Sequence, residues 1–119
     1  MNKYYNKKVT IDGIKFDSKA EAKRYRELKL MEQAGLIKDL VLQPKYELLK
    51  SFKRRGKTYI KVTYIADFTY FDLEKNRQVI EDVKGFETKD FKLKLKFFLS
   101  RLDENIDFLL IKNNEIKEY

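Results

Sequence analysis

The sequence predicts an α/β fold of the α+β kind, in which a mixed sheet carries helices on its faces and a small N-terminal β-hairpin precedes the core. Two stretches place apolar residues at helical spacing behind capping residues. Several others alternate apolar and polar residues as half-buried strands do, and their order runs helix, three strands, helix, strand. A length of 119 residues, with 43% apolar residues, nine Phe and eight Tyr, supplies material for one hydrophobic core, so a single domain over 1–119 is expected.

The elements follow in order. "VTIDGIKF" sets Val9, Ile11, Ile14 and Phe16 around Asp12-Gly13, a two-residue turn that closes a tight hairpin. "DSKAEAKRYRELKLMEQAGL" opens on Ser18 as N-cap, carries Ala22, Tyr25, Leu28 and Met31 as an apolar stripe, and has Gly35 where a helix C′ residue belongs. "DLVLQPKYELLKSF" reads as a strand broken at Pro44, which lacks a ladder donor and marks an edge or a bend. The polar "KSFKRRGK" is expected to be a loop. "TYIKVTYIADFTYFD" then predicts one long strand whose face of Ile60, Val62, Tyr64, Ala66, Phe68 and Tyr70 meets the core, with Asp67 on the other face. "QVIEDVKG" is the next strand, antiparallel to it, with Glu81 on one face and Asp82 and Lys84 on the other. "TKDFKLKLKFFLSRL" fits a helix by Phe91, Leu95, Phe98 and Leu102 behind a Thr88 cap; "IDFLLI" is a short strand, and "KNNEIKEY" a turn with a last extended piece.

Composition narrows the chemistry. With no Cys and no His there is no disulfide partner, no thiolate or imidazole metal site, and no His-based nucleophilic machinery, so any metal must be held by oxygen and is Mg²⁺, Mn²⁺ or Ca²⁺ in character. No run approaches eighteen uninterrupted apolar residues, and "MNKYYNKK" lacks the apolar stretch of a signal peptide, so a soluble cytoplasmic protein with no membrane partner is expected. The net charge of +8 favours a polyanionic partner, against the plainer reading of a lysine-rich solvated surface.

The chemistry-bearing set is Glu21 on the first helix, Asp67 on the long strand, and Asp82 with Lys84 on the next. Adjacent strands can bring Asp67 beside Asp82, and the period of two puts Lys84 on the same face roughly 6 to 7 Å along the strand. Like charges brought together cost stability unless a cation lies between them. Carboxylates holding a divalent ion beside a lysine suit phosphodiester hydrolysis.

"ADFTYFD" followed by "DVK" resembles the PD-(D/E)XK signature of the restriction-endonuclease-like nuclease superfamily. From "NKK" and "FDSKAEA" through "LQPKYEL", "YIADF" and "VIEDVKGF" to the basic helix, the chain is similar to a phage-encoded branch of small nucleases within it. The resemblance implies a core of helix, three strands, helix and strand. It implies that Asp67, Asp82 and Glu21 ligate Mg²⁺ or Mn²⁺, with Val83 counted among the ligating positions, and that Lys84 is the catalytic lysine. Ala66 stands where the signature has proline, and Asp82 where Glu is commoner. The implied activity is that of a Mg²⁺-dependent DNA endonuclease acting on branched or structured DNA, like a Holliday-junction resolvase, as a two-fold homodimer in the host cytoplasm.

Plainer readings stand beside these. Ser18-Lys19-Ala20-Glu21 is also a capping box, whose Glu would fold back to the Ser18 N–H. Asp67 could sit on a solvated face, and Glu81 is expected to serve packing or surface charge. Lys53, Arg54, Arg55 and Lys57 around Gly56, with Lys89, Lys92 and Lys96 on the second helix, are candidate DNA contacts or solubilising charges. The rival function is a non-catalytic DNA-binding or regulatory protein that retains the nuclease fold.

Overall fold

The computed structural model describes residues 8–119; segment 1–7, which carries much of the signal-peptide expectation and most of the "NKK" of the resemblance, lies outside the described residues. β1 (Val9–Ile11) and β2 (Ile14–Phe16) form the expected hairpin, closed by Asp12 and Gly13 at φ of 53° and 75°. These are the dihedrals of a type I′ turn, which Asp-Gly adopts with little strain.

α1 (Lys19–Gln33) starts where Ser18 Oγ accepts the Glu21 N–H at 3.1 Å. It stops in a Schellman arrangement: Gly35 N–H reaches the Glu32 carbonyl and Leu36 N–H the Met31 carbonyl, with Gly35 at φ 76°. Ala22, Tyr25 and Leu28 are buried against the sheet. Truncating the fully enclosed Leu28 to Ala would cost about 2 to 5 kcal/mol.

β3 (Ile37–Leu42) and β4 (Lys45–Leu49) are separated at Pro44 as expected, and the break sends them into different sheets. β5 (Phe52–Arg54) and β6 (Lys57–Tyr59) form a hairpin where a polar loop was expected. The expected single long strand is also corrected: it is divided into β7 (Val62–Ile65), paired with β4, and β8 (Phe68–Asp72), paired with β3 and with the next strand, β9 (Arg77–Val83). The cause is visible in the backbone. Ala66 N–H bonds the Pro44 carbonyl and Gln43 N–H the Asp67 carbonyl, so the Pro44 bend captures the chain at residues 66 and 67 and peels β7 away. Ile60 and Val62 are consequently exposed. Tyr64 and Ala66 enter a different core cluster from Phe68 and Tyr70.

α2 (Lys89–Arg101), capped by Thr88, connects β9 to the parallel strand β10 (Ile106–Lys112), and β11 (Glu115–Glu118) returns antiparallel along β10. The main sheet runs β11-β10-β9-β8-β3, with one parallel pair among antiparallel ones, and is therefore mixed. Its two faces are dry for different reasons. α1 packs with Phe68, Tyr70 and Val79, and α2, through Phe91, Leu95 and Phe98, packs with Ile80, Phe108 and Leu110. Among the described residues no helix is long and apolar enough to cross a membrane.

Candidate carboxylate site at the end of β9

β9 is the central strand, and by the alternation of side chains its residues divide between the two faces. Val79 and Glu81 point to α1, and Ile80 and Asp82 to α2. Both acids are fully enclosed, at 0% exposure. Burial of a carboxylate is tolerated only when its oxygens find donors or a cation.

Glu81 finds them completely. Arg24 of α1 donates through Nε to Oε1 and through Nη2 to Oε2, both at 2.7 Å, and the Tyr70 hydroxyl also donates to Oε2. Burial works against the Arg24 charge, but the bonds and field of Glu81 outweigh it and hold the guanidinium firmly ionised. Burial, with the Glu81 charge, likewise raises the Tyr70 hydroxyl so that it remains a donor. Glu81 thus serves packing, through a buried ion pair.

Asp82 does not. Tyr64 of β7 donates its hydroxyl to Oδ2, while among the described residues Oδ1 has no hydrogen-bond partner. The Lys84 ammonium stands 3.4 Å from Oδ1, close enough for attraction but without the direction of a hydrogen bond. Lys84 shares the Asp82 face, as its spacing predicted, and its Nζ lies 4.7 Å above the Phe91 ring of α2. The Tyr64 hydroxyl is raised by burial first and by the Asp82 charge next, so it stays protonated.

Asp67 is corrected from mid-strand to the break between β7 and β8, half-buried. There its Oδ2 accepts the Val83 N–H at 2.7 Å, so Val83 engages the site through its amide. Burial pushes the Asp67 carboxyl up to about 9, with Asp82 and Glu21 adding to the rise and the Val83 N–H opposing it. Glu21 joins the group from the first turn of α1. It is buried, and its carboxyl is raised by burial, then by Asp17 and Asp82, with Lys84 lowering it. Ser18 does cap α1, but among the described residues no bond returns from the Glu21 carboxylate to the Ser18 N–H, so the reciprocal half of the capping box is not made. The structure therefore brings Asp67, Asp82 and Lys84 together at the end of β9, with Glu21 within electrostatic reach of Asp82 and Lys84.

These groups suit an oxygen-loving cation. Asp82 Oδ1 is buried and, among the described residues, has no hydrogen-bond partner while its neighbours are ionised; without a cation, that cost is met by keeping Asp67 protonated beside Asp82. Among the described residues no three acids stand together as a group that could hold a metal ion by themselves. Mg²⁺ does not require one, since it keeps waters and takes one or two carboxylates together with substrate phosphate. A hollow of about 420 Å³ lined by Lys23, Arg24, Lys84, Gly85 and Asn114 opens beside the lysine.

The basic candidates lie elsewhere. Lys53, Arg54, Arg55 and Lys57 sit on the β5–β6 hairpin, and Lys89, Lys92 and Lys96 are exposed on α2, opposite its buried Phe91–Leu95–Phe98 stripe. Sequence reasoning missed Tyr64, Arg24 and Tyr70. Arg24 had a usable signal: an acid at 81 between Val79 and Val83 on a helix-covered face calls for a cation from that helix.

The family described as protein of unknown function, DUF1064, matches residues 1–117, and the chain belongs to that family. No curated protein matches it. A solved structure described as the crystal structure of SSO0001 is similar with a TM-score of 0.41 at 16% identity, covering 82% of this chain and 48% of that one. The chain thus spans about half the length of that protein.

Proposed function

We propose that this DUF1064 chain is a Mg²⁺- or Mn²⁺-dependent endonuclease with a restriction-endonuclease-like core, hydrolysing phosphodiester bonds of branched or structured DNA in the cytoplasm as a homodimer. The observation that carries the reading is the unsatisfied buried oxygen of Asp82 among Asp67, Glu21 and Lys84. The core order supports it: α1, β3, β8, β9, α2 and β10 give helix, three strands, helix and strand around one mixed sheet. The cytoplasm fits a chain with no Cys, and two symmetric cuts across a junction favour a two-fold pair.

Asp82 and Asp67 would hold the ion, with Glu21 supplying a further carboxylate. Bound there, it supplies Lewis acidity to the phosphoryl oxygen and to a water. Lys84 Nζ, steered by Asp82 and the Phe91 ring, offers N–H donors to the attacking water or to charge developing on the phosphate. Tyr64 holds Asp82 Oδ2, so Oδ1 would be the oxygen free to take the ion. The Val83 N–H fixes the Asp67 carboxylate against the strand end.

The test incubates the protein with supercoiled plasmid and a synthetic four-way junction in Mg²⁺, Mn²⁺ or EDTA. Cleavage with either metal, absent in EDTA and absent from Lys84→Ala, is the expected result. DNA binding without cleavage in either metal would leave the non-catalytic DNA-binding reading in its place.

A further inference from the structure

Every residue from Leu49 to Val62 is exposed, and among the described residues β5 and β6 touch each other and no other element. The hairpin is therefore an arm standing off the body. Between Glu47 and Asp67 there is no acidic residue, while Lys50, Lys53, Arg54, Arg55, Lys57 and Lys61 are all basic, so most of the net charge of +8 resides in this arm. Among the described residues none of these six cations forms an ion pair with a carboxylate.

The register sharpens this. Arg54 lies directly opposite Lys57, a like-charge cross-strand pair on an open hairpin, which opposes its folding. The turn does the same. The β1–β2 and β10–β11 hairpins close on Asp12-Gly13 and Asn113-Asn114, residues that tolerate positive φ, whereas the arm places Arg55 there at φ 50° before Gly56. Both choices weaken the free hairpin and concentrate cations at its tip. At its base, Phe52 and Tyr59 stack across the strands at 5.0 Å and 9°, and the Lys57 Nζ lies 5.3 Å from the centre of the Tyr59 ring. The stack stiffens a ribbon that would otherwise be marginal, and it engages the Tyr59 ring with Phe52 and Lys57 instead of leaving it bare for a base.

The geometry points to a β-ribbon that enters the groove of B-form duplex DNA, with Arg54 and Lys57 bridging phosphates around the Arg55 tip. A two-stranded ribbon fits the DNA major groove, whereas the deep, narrow major groove of A-form RNA excludes it. Continuity with the body runs through β7, whose Tyr64 reaches Asp82. The inference rests on the nucleic-acid side of the proposed function and not on its carboxylates.

The test measures binding of the full chain in EDTA to a mixed-sequence duplex, to its single strand and to the same sequence as double-stranded RNA, across a salt series. Tightest binding to duplex DNA is expected. Replacing Lys53, Arg54, Arg55 and Lys57 together by Ala should weaken it by about tenfold or more and flatten the log–log salt slope by roughly 3. Arg54→Glu separates charge from folding: it makes an opposite-charge pair with Lys57, so thermal stability should hold or rise while duplex affinity falls. Unchanged duplex affinity in both variants overturns the inference, as does equal binding of single strand, or an altered oligomeric state with DNA binding intact. Asp82→Asn, tested in parallel, should abolish cleavage and keep duplex binding. Loss of the arm effect with cleavage preserved would remove the arm alone, and duplex binding without cleavage by the parent protein would remove the nuclease alone.

Discussion

Glu81 and Asp82 are neighbours on one strand, equally enclosed, and have opposite fates. Glu81 faces α1 and meets a bidentate guanidinium and a phenol; Asp82 faces α2 and meets one phenol, an ammonium out of line, and further carboxylates. One peptide step converts a satisfied ion pair into an unsatisfied acidic cluster. The same burial therefore holds the sheet to the helix on one side and leaves affinity for a cation on the other. If that contrast is correct, changes at Glu81 and its partners register as stability, and changes at Asp82 register as activity.

The largest effect is expected at Asp82. Asp82→Asn keeps an acceptor for Tyr64 and removes one charge from the cluster, so stability in EDTA should be equal to or above the parent. Metal-dependent cleavage should fall by about 10³-fold, the loss of several kcal/mol of electrostatic stabilisation. A variant that cuts as fast as the parent would move the site elsewhere. Arg24→Ala is the counterpart across the strand. It leaves Glu81 buried without its cation and should cost about 3 to 5 kcal/mol in urea unfolding. A loss below about 1 kcal/mol would show that Glu81 escapes to water and that the contrast is false.

Next in size is a pH dependence. In the metal-free fold burial raises the Asp67 carboxyl from 3.8 to about 9, with Asp82 and Glu21 adding to the rise and the Val83 N–H opposing it, and Glu21 is raised as well. Above the ordinary carboxylate range the unfolded chain releases the Asp67 proton while the folded protein keeps it, and the rise at Glu21 acts in the same direction. Stability in EDTA should therefore fall as pH rises from about 5 toward 9, the folded state binding more protons throughout. Urea midpoints across that range are the measurement. Asp67→Asn should flatten the slope, and saturating Mn²⁺ should reverse it by favouring the ionised carboxylates. Midpoints that climb with pH in EDTA would contradict the close approach of the acids.

The fold was legible where local chemistry and tertiary pairing agree. Ser18, Gly35 and Thr88 mark helix ends through their own backbone bonds, and strict alternation along β9 separates Glu81 from Asp82 and Lys84. It failed between Ile60 and Asp67, where apolar alternation described one strand. The break is imposed by the Pro44 carbonyl and the Gln43 amide, partners more than twenty residues away that leave no mark on the alternation. For the same reason the alternation sets Asp67 beside Asp82 but on continuous strand backbone, and it marks Tyr64 as a core residue without revealing its bond to Asp82. The β5–β6 arm escaped because three-residue strands dense in Lys and Arg carry too little apolar periodicity to register. Arg24 escaped because a helix wheel assigns arginine to solvent, and only the acid across the interface brings it inside.

The smallest expected effect separates the two acids most finely. Tyr70 and Tyr64 each donate a hydroxyl to a buried carboxylate, Glu81 and Asp82 respectively. Removing the Tyr70 hydroxyl leaves Glu81 with both Arg24 bonds, so Tyr70→Phe should cost only about 1 kcal/mol and be indifferent to metal. Tyr64→Phe takes the phenol donor from Asp82 Oδ2. In EDTA it should cost about 1 to 3 kcal/mol, the penalty of a second unsatisfied buried oxygen. Mn²⁺ should recover part of that loss, because ligation satisfies an oxygen that the hydroxyl no longer reaches. The recovery is the discriminating quantity: it should be present for Tyr64→Phe and absent for Tyr70→Phe. Equal behaviour of the two phenols with and without Mn²⁺ would mean that Asp82, like Glu81, serves only to hold the strand in place.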